Sequence, residues 1–218
     1  MKKHIVCFGD SNTHGYCADP NDCIERGDRF NEDERWTHLL QKQLGEDYLV
    51  LEEGLSGRTT VFQDPLHECM AGLDVIYSCL MSHEPVDLLI IMLGTNDTKE
   101  RFGANAACIG IGMERLVMKA KNVMAWRNGK PNILVIAPPH IGDGLYDGHP
   151  NGFAMGEGCP QKSREIAPFY AELATRQGCA FLDAEGVAEF NQVDYMHLTA
   201  KGHAQLAAKL ASMVPELV

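Results

Sequence analysis

The chain has 218 residues, 45% of them hydrophobic and 22% charged, a balance that suits one globular domain, residues 1–218, with a sizeable core. Its formal net charge of −11 argues against a nucleic acid or an anionic membrane as partner, because neutralising phosphates requires clustered Lys and Arg. No run approaches the roughly 18 uninterrupted apolar residues of a membrane span, and the apolar run after "MKKH" is too short for a signal peptide, so the expected address is the cytoplasm.

The first apolar run, residues 4–8, predicts a strand that leads directly into Gly9-Asp10-Ser11. Helical spacing over 33–44 stops at Gly45, a second strand follows at 48–52, and a helix is predicted over 66–83. The run at 86–93 contains "LLIIML", nearly continuous in apolar residues, as a strand buried on both faces should be. A helix over 104–127, with Gly129 beyond it, leads to a second such strand at 132–137, "ILVIA". Residues 140–158 then form a long glycine-rich segment of the kind that is functional or mobile in compact domains. Its apolar residues Ile141, Leu145, Phe153 and Met155 look too dispersed to make a core of their own. A helix over 161–177 ends at Gly178, a strand occupies 179–183, and Thr199 caps a last helix over 199–212. Strands alternating with helices describe an α/β fold with a parallel sheet covered by helices, and nothing in the composition separates two halves.

In such sheets ligands sit at the carboxyl ends of strands, where strand order reverses. Ser11 stands at one such end. The segment "GDSNTHG" admits three readings: a phosphate-cradling loop, for which the required glycine and lysine pattern is absent; a simple strand-ending turn; and a nucleophile. A nucleophilic serine needs a histidine oriented by an acid. Among nine histidines, His4, His38 and His83 read as partly exposed structural residues and His203 as a helix-surface residue. Asp194 and His197 differ, because three-residue spacing in a turn puts a carboxylate against imidazole Nδ1 and leaves Nε2 free as a base. Gly57, in the loop after the second strand, offers an unobstructed backbone N–H, and Asn96, after the third, offers a side-chain amide. With the N–H of Ser11 these make a three-donor oxyanion hole. Asp10 and Asp97 are expected to hold turns, and Arg58 to steer an acidic group or, more simply, to form an exposed salt bridge.

Together Gly9-Asp10-Ser11, the Gly57 segment, Gly94-x-Asn96-Asp97 and Asp194-x-x-His197 resemble the four ordered blocks of the SGNH (GDSL-type) hydrolases. "CFGDS" and "LIIMLGTNDTK" are similar to the bacterial arylesterase and acyltransferase branch. The resemblance implies a three-layer flavodoxin-like fold with strand order 2-1-3-4-5, no metal or organic cofactor, and octamers in some members. Where that branch tends to have Trp near the nucleophile, this chain has His14 and Tyr16, which join Arg58 as candidate substrate-binding residues. The expected activity is hydrolysis of short-chain acyl esters, with acyl transfer to an alcohol when water is outcompeted. Carbohydrate O-deacetylase, thioesterase and lysophospholipase are the alternatives within the family, and a flavodoxin-like anion-binding module is the alternative outside catalysis. Eight cysteines without a C-x-x-C pair, with Cys7, Cys79 and Cys179 in apolar runs, read as free thiols.

Overall fold

The structure of the chain, a computed structural model, describes residues 1–148 and 150–218; His149, within the glycine-rich segment 140–158, lies outside the described residues. Among these residues five strands form one all-parallel sheet: β1 (Lys3–Gly9), β2 (Tyr48–Gly54), β3 (Leu88–Met92), β4 (Ile133–Ala137) and β5 (Ala180–Asp183). The order is β2-β1-β3-β4-β5, as the resemblance implied. Alternation along β1 and β3 explains the layers. Val6, Phe8, Leu89 and Ile91 pack against α3 (Gly72–Ser82), α4 (Ala106–Lys121) and α6 (Cys159–Gln177) on one face. Ile5, Cys7, Leu88 and Ile90 pack against α2 (Trp36–Leu44) and α7 (Ala200–Leu217) on the other. Each fully buried Ile or Leu in these layers contributes about 1.5–3 kcal/mol of apolar transfer free energy, which is why β1, β3 and β4 carry apolar residues at successive positions.

From β1 the chain moves outward to β2 and then crosses back to β3, so strand order reverses at β1 and a crevice opens above its carboxyl end. The four-residue α1 (Ser11–His14) begins there. It crosses the end of β2 closely enough that a Cβ on Gly54 would overlap the backbone of Thr13 and His14, so glycine is the residue that lets β2 end beneath α1.

Several boundaries differ from those expected. Residues 66–71 are not helical: Asp64 accepts from the Leu66 N–H at 3.0 Å and Thr59 bridges to Ala71, so α3 starts only at Gly72. Residues beyond Lys121 are drawn off α4 by a bridge between Trp126 and Val86, and Gly129 belongs to a separate 3-10 turn. The described residues of segment 140–158 include a 3-10 turn at Asp143–Tyr146 and a short helix, α5 (Pro150–Met155). Of its four apolar residues named above, Ile141, Leu145 and Met155 are buried in one cluster with Cys159 and Met196 from outside the segment, and Phe153 stays exposed. All eight cysteines are free thiols. Among the described residues no helix is long and apolar enough to cross a membrane.

Candidate active site

Ser11 is the first residue of α1, where backbone N–H groups have no acceptor within the helix. Asp10 caps that helix, its Oδ1 accepting from the Asn12 N–H at 3.0 Å, and Gly15 closes it in the left-handed conformation. The second half of the site arrives from 183 positions later. Asp194 begins a tight turn in which Tyr195 takes a positive φ, and the turn delivers His197 above Ser11. His197 Nδ1 lies 2.6 Å from Asp194 Oδ2, and His197 Nε2 lies 2.8 Å from Ser11 Oγ. Asn12 joins the two halves. Its Oδ1 accepts from the Leu198 N–H at 2.9 Å and its Nδ2 donates to the Met196 carbonyl at 3.4 Å.

The Asp194 carboxylate is wrapped by donors. Oδ1 accepts from Asn191 Nδ2 at 2.8 Å and from the N–H groups of Met196 and His197, both at 3.2 Å; Oδ2 also accepts from Asn151 Nδ2 at 3.0 Å. Burial alone would push the carboxyl up, but the hydrogen bonds and charge of His197 and the Asn191 amide outweigh it and hold Asp194 well below the ordinary carboxylate range. An acid held ionised in this way can accept a hydrogen bond from the imidazole.

Ser11, Gly57, Asn96 and His197 line one cavity of about 210 Å³, bounded by Tyr16, Met155 and Met196. Gly57 reaches it in the left-handed region at φ 92, which strains any other residue. Asn96 sits just beyond β3 with its amide Nδ2 3.4 Å from Asp10 Oδ2. The Tyr16 ring tilts against His197 with 4.5 Å between centroids.

The profile of the GDSL-like lipase/acylhydrolase family matches residues 7–205. The chain belongs to that family. This GDSL-like chain is accordingly a carboxylic ester hydrolase, and its fold agrees with those of solved relatives. The aryl esterase of M. smegmatis is 38% identical, with a TM-score of 0.88 over 99% of this chain and 100% of that one. A carbohydrate acetylesterase from Sinorhizobium meliloti is 33% identical, with a TM-score of 0.86 over the full length of both chains. A lipase/acylhydrolase from Enterococcus faecalis, 19% identical at a TM-score of 0.70, shares the fold. A search of curated proteins returned no match.

Not every residue expected at the hydrolase site reaches it. Arg58 is buried, not exposed: the turn at Gly57 sends its side chain under the sheet end, where it donates to the carbonyls of Gly9 (3.0 Å) and Glu53 and lies 4.2 Å over the Phe8 ring. It holds the Ser11 turn from beneath and forms no part of the cavity lining. His14 turns to the β2 edge among Arg29, Glu52 and Arg35 and likewise does not line the cavity. His203 is fully buried, not on the helix surface: Trp36 donates its backbone N–H to His203 Nδ1 at 3.2 Å, and burial pulls the imidazole down to about 3. Conversely Lys99, Asn151 and Ala154 line the cavity without having been expected there, and Met155, named above only as a dispersed apolar residue of segment 140–158, lines it as well. Lys99 is paired with buried Asp64 at 3.2 Å.

Asp97 holds the loops together from below. It is fully buried, accepts from the Thr60 N–H at 2.9 Å and from the Thr60 hydroxyl, and burial pushes its carboxyl from 3.8 up to about 6. A carboxyl whose value rises on folding stabilises the fold while protonated, and that contribution is lost as pH climbs through the folded-state value. Between pH about 4 and about 6.5 the unfolding free energy should therefore fall more steeply in the wild type than in Asp97→Asn, by about 2–3 kcal/mol over the interval. Urea midpoints across that range measure it, and parallel profiles would show that burial does not resist this ionisation.

Proposed function

We propose that this GDSL-like hydrolase cleaves short-chain acyl esters through a Ser11–His197–Asp194 triad and an oxyanion hole made by the N–H groups of Ser11 and Gly57 and the Asn96 amide. The reading is carried by one observation: an unbroken line of contacts, 2.6 Å and 2.8 Å, from a buried carboxylate through an imidazole to a serine that faces the same cavity as Gly57 and Asn96. His197 Nε2 takes the Ser11 proton as Oγ bonds to the ester carbonyl carbon, and the carbonyl oxygen becomes an oxyanion facing the three donors. Collapse breaks the bond to the alcohol oxygen, which receives the proton from His197. Water, deprotonated by His197, then releases the acid and restores Ser11. An alcohol in place of water gives acyl transfer by the same route.

Size supports a short acyl group. A cavity of about 210 Å³ is below the range that encloses drug-sized ligands, and the apolar side chains in its lining, Ala154, Met155 and Met196, suit a methyl or ethyl group. Kinetics on a panel of esters from acetyl to palmitoyl, each on aryl, alkyl and sugar alcohols, tests this. Acetyl and propionyl esters should dominate kcat/KM, and a maximum at octanoyl or longer would contradict the assignment. The alcohol arm separates the two relationships seen above, an aryl esterase and a carbohydrate acetylesterase.

Asn96→Ala should lower kcat by about 10²–10³ with little change in KM, because the amide meets charge that exists only in the transition state. A change confined to KM would make Asn96 a ground-state binding group.

A further inference from the structure

The geometry points to a second site, a seat for a thiophilic divalent cation of the Zn²⁺ class built by Glu53, Cys79 and His83 at the β2 edge of the sheet. None of the three lines the Ser11 cavity. One ligand atom from each, a carboxylate oxygen, the thiol sulfur and an imidazole nitrogen, lies within 4.8 Å of both others. The backbone fixes two of them on one helical face: Cys79 sits in the last turn of α3 and His83 caps it four residues on, the spacing that places two side chains one above the other. Glu53, near the carboxyl end of β2, completes the triangle from the sheet, with Oε1 2.6 Å from His83 Nε2.

The donor set selects the ion. Sulfur, imidazole nitrogen and one carboxylate suit a borderline cation such as Zn²⁺, whereas Ca²⁺ and Mg²⁺ require oxygen ligands. Tetrahedral bonds of about 2.0–2.3 Å separate neighbouring ligand atoms by about 3.3–3.7 Å, so the Glu53–His83 pair opens by about 1 Å and the Cys79 sulfur closes by no more than about 1.5 Å. Charge also balances. The cation displaces the thiol proton to solvent, and the resulting thiolate with the carboxylate neutralises the dication, so the site goes from one negative charge to none beside Arg58, which donates to the Glu53 carbonyl. Glu53 and His83 remain partly exposed, with side chains 31% and 23% accessible, which leaves an entry path and a fourth position for water.

The test uses the full-length protein stripped by a chelator and titrated with Zn²⁺ against a chromophoric competitor, and in parallel with Co²⁺ to read a thiolate-to-metal charge-transfer band. One equivalent of Zn²⁺ per chain, a Co²⁺–thiolate band, and at least tenfold weaker binding in both Cys79→Ser and His83→Gln are expected. Absence of the thiolate band in the wild-type protein overturns the proposal whatever the variants do. Undiminished binding in both variants overturns it as well, by placing the ion on other residues. These readouts do not depend on ester hydrolysis, and a Ser11→Ala protein should bind the ion as the wild type does.

Discussion

Ser11→Ala is expected to lower kcat/KM for an aryl acetate by about 10⁴ or more while the protein stays folded. The chemical step loses its nucleophile, and what remains is the modest rate that an oxyanion hole and substrate binding support without one. The fold, by contrast, loses a single polar contact, Ser11 Oγ to His197 Nε2, worth about 1 kcal/mol, while Asp10 still caps α1 and Asn12 still docks the loop before α7. Steady-state kinetics on a variant whose circular dichroism and thermal midpoint match the wild type measures the effect. Activity within tenfold of the wild type would remove Ser11 from the mechanism.

Asp194→Asn should cost nearly as much, about 10⁴ in kcat, for a reason that involves no lost packing. The asparagine carbonyl can keep the Oδ1 position, accepting from Asn191 and from the N–H groups of Met196 and His197. Its N–H₂ then falls where Oδ2 now faces both His197 Nδ1 and Asn151 Nδ2. A donor there makes Nδ1 the acceptor, so Nε2 carries the ring proton and cannot receive one from Ser11. Kinetics at neutral pH read the loss, and a variant retaining a tenth of wild-type kcat would show that Asp194 does not set the tautomer.

What the sequence disclosed and what it withheld divide along a physical line. Strands β3 and β4 were legible because a strand buried on both faces must be apolar at successive positions, and the residues that follow strand ends point into a crevice whatever the rest of the chain does. Ser11, Gly57 and Asn96 are of that kind, Asp194 and His197 were legible from their three-residue spacing before the last helix, and the structure brings all five together around one cavity or one relay of hydrogen bonds. Contacts made by side chains whose partners are distant in sequence were not legible. Nothing local to Asn151 signals that a short helix will carry it to Asp194, 43 positions away, and nothing local to His203 signals that Trp36 will cover it. Arg58 misled for a related reason: a guanidinium beside two glycines reads as solvent-facing, and only the positive φ of Gly57 together with the Phe8 ring turns it inward. The helix expected from residue 66 failed because the Asp64 turn and the Thr59 bridge offer that backbone other partners.

The claim that an activated serine does the chemistry is tested most directly by covalent trapping. A fluorophosphonate reacts with a serine only where a base withdraws its proton and an oxyanion hole receives the developing charge. Incubating the intact protein with one equivalent and mapping the adduct by peptide mass spectrometry should find a single modification, on Ser11. Loss of ester hydrolysis should follow the same time course, and the adduct should be absent from Ser11→Ala and formed at least a hundredfold more slowly in His197→Ala. An adduct on another residue that abolishes hydrolysis, or full hydrolysis by protein fully modified at Ser11, would contradict the assignment.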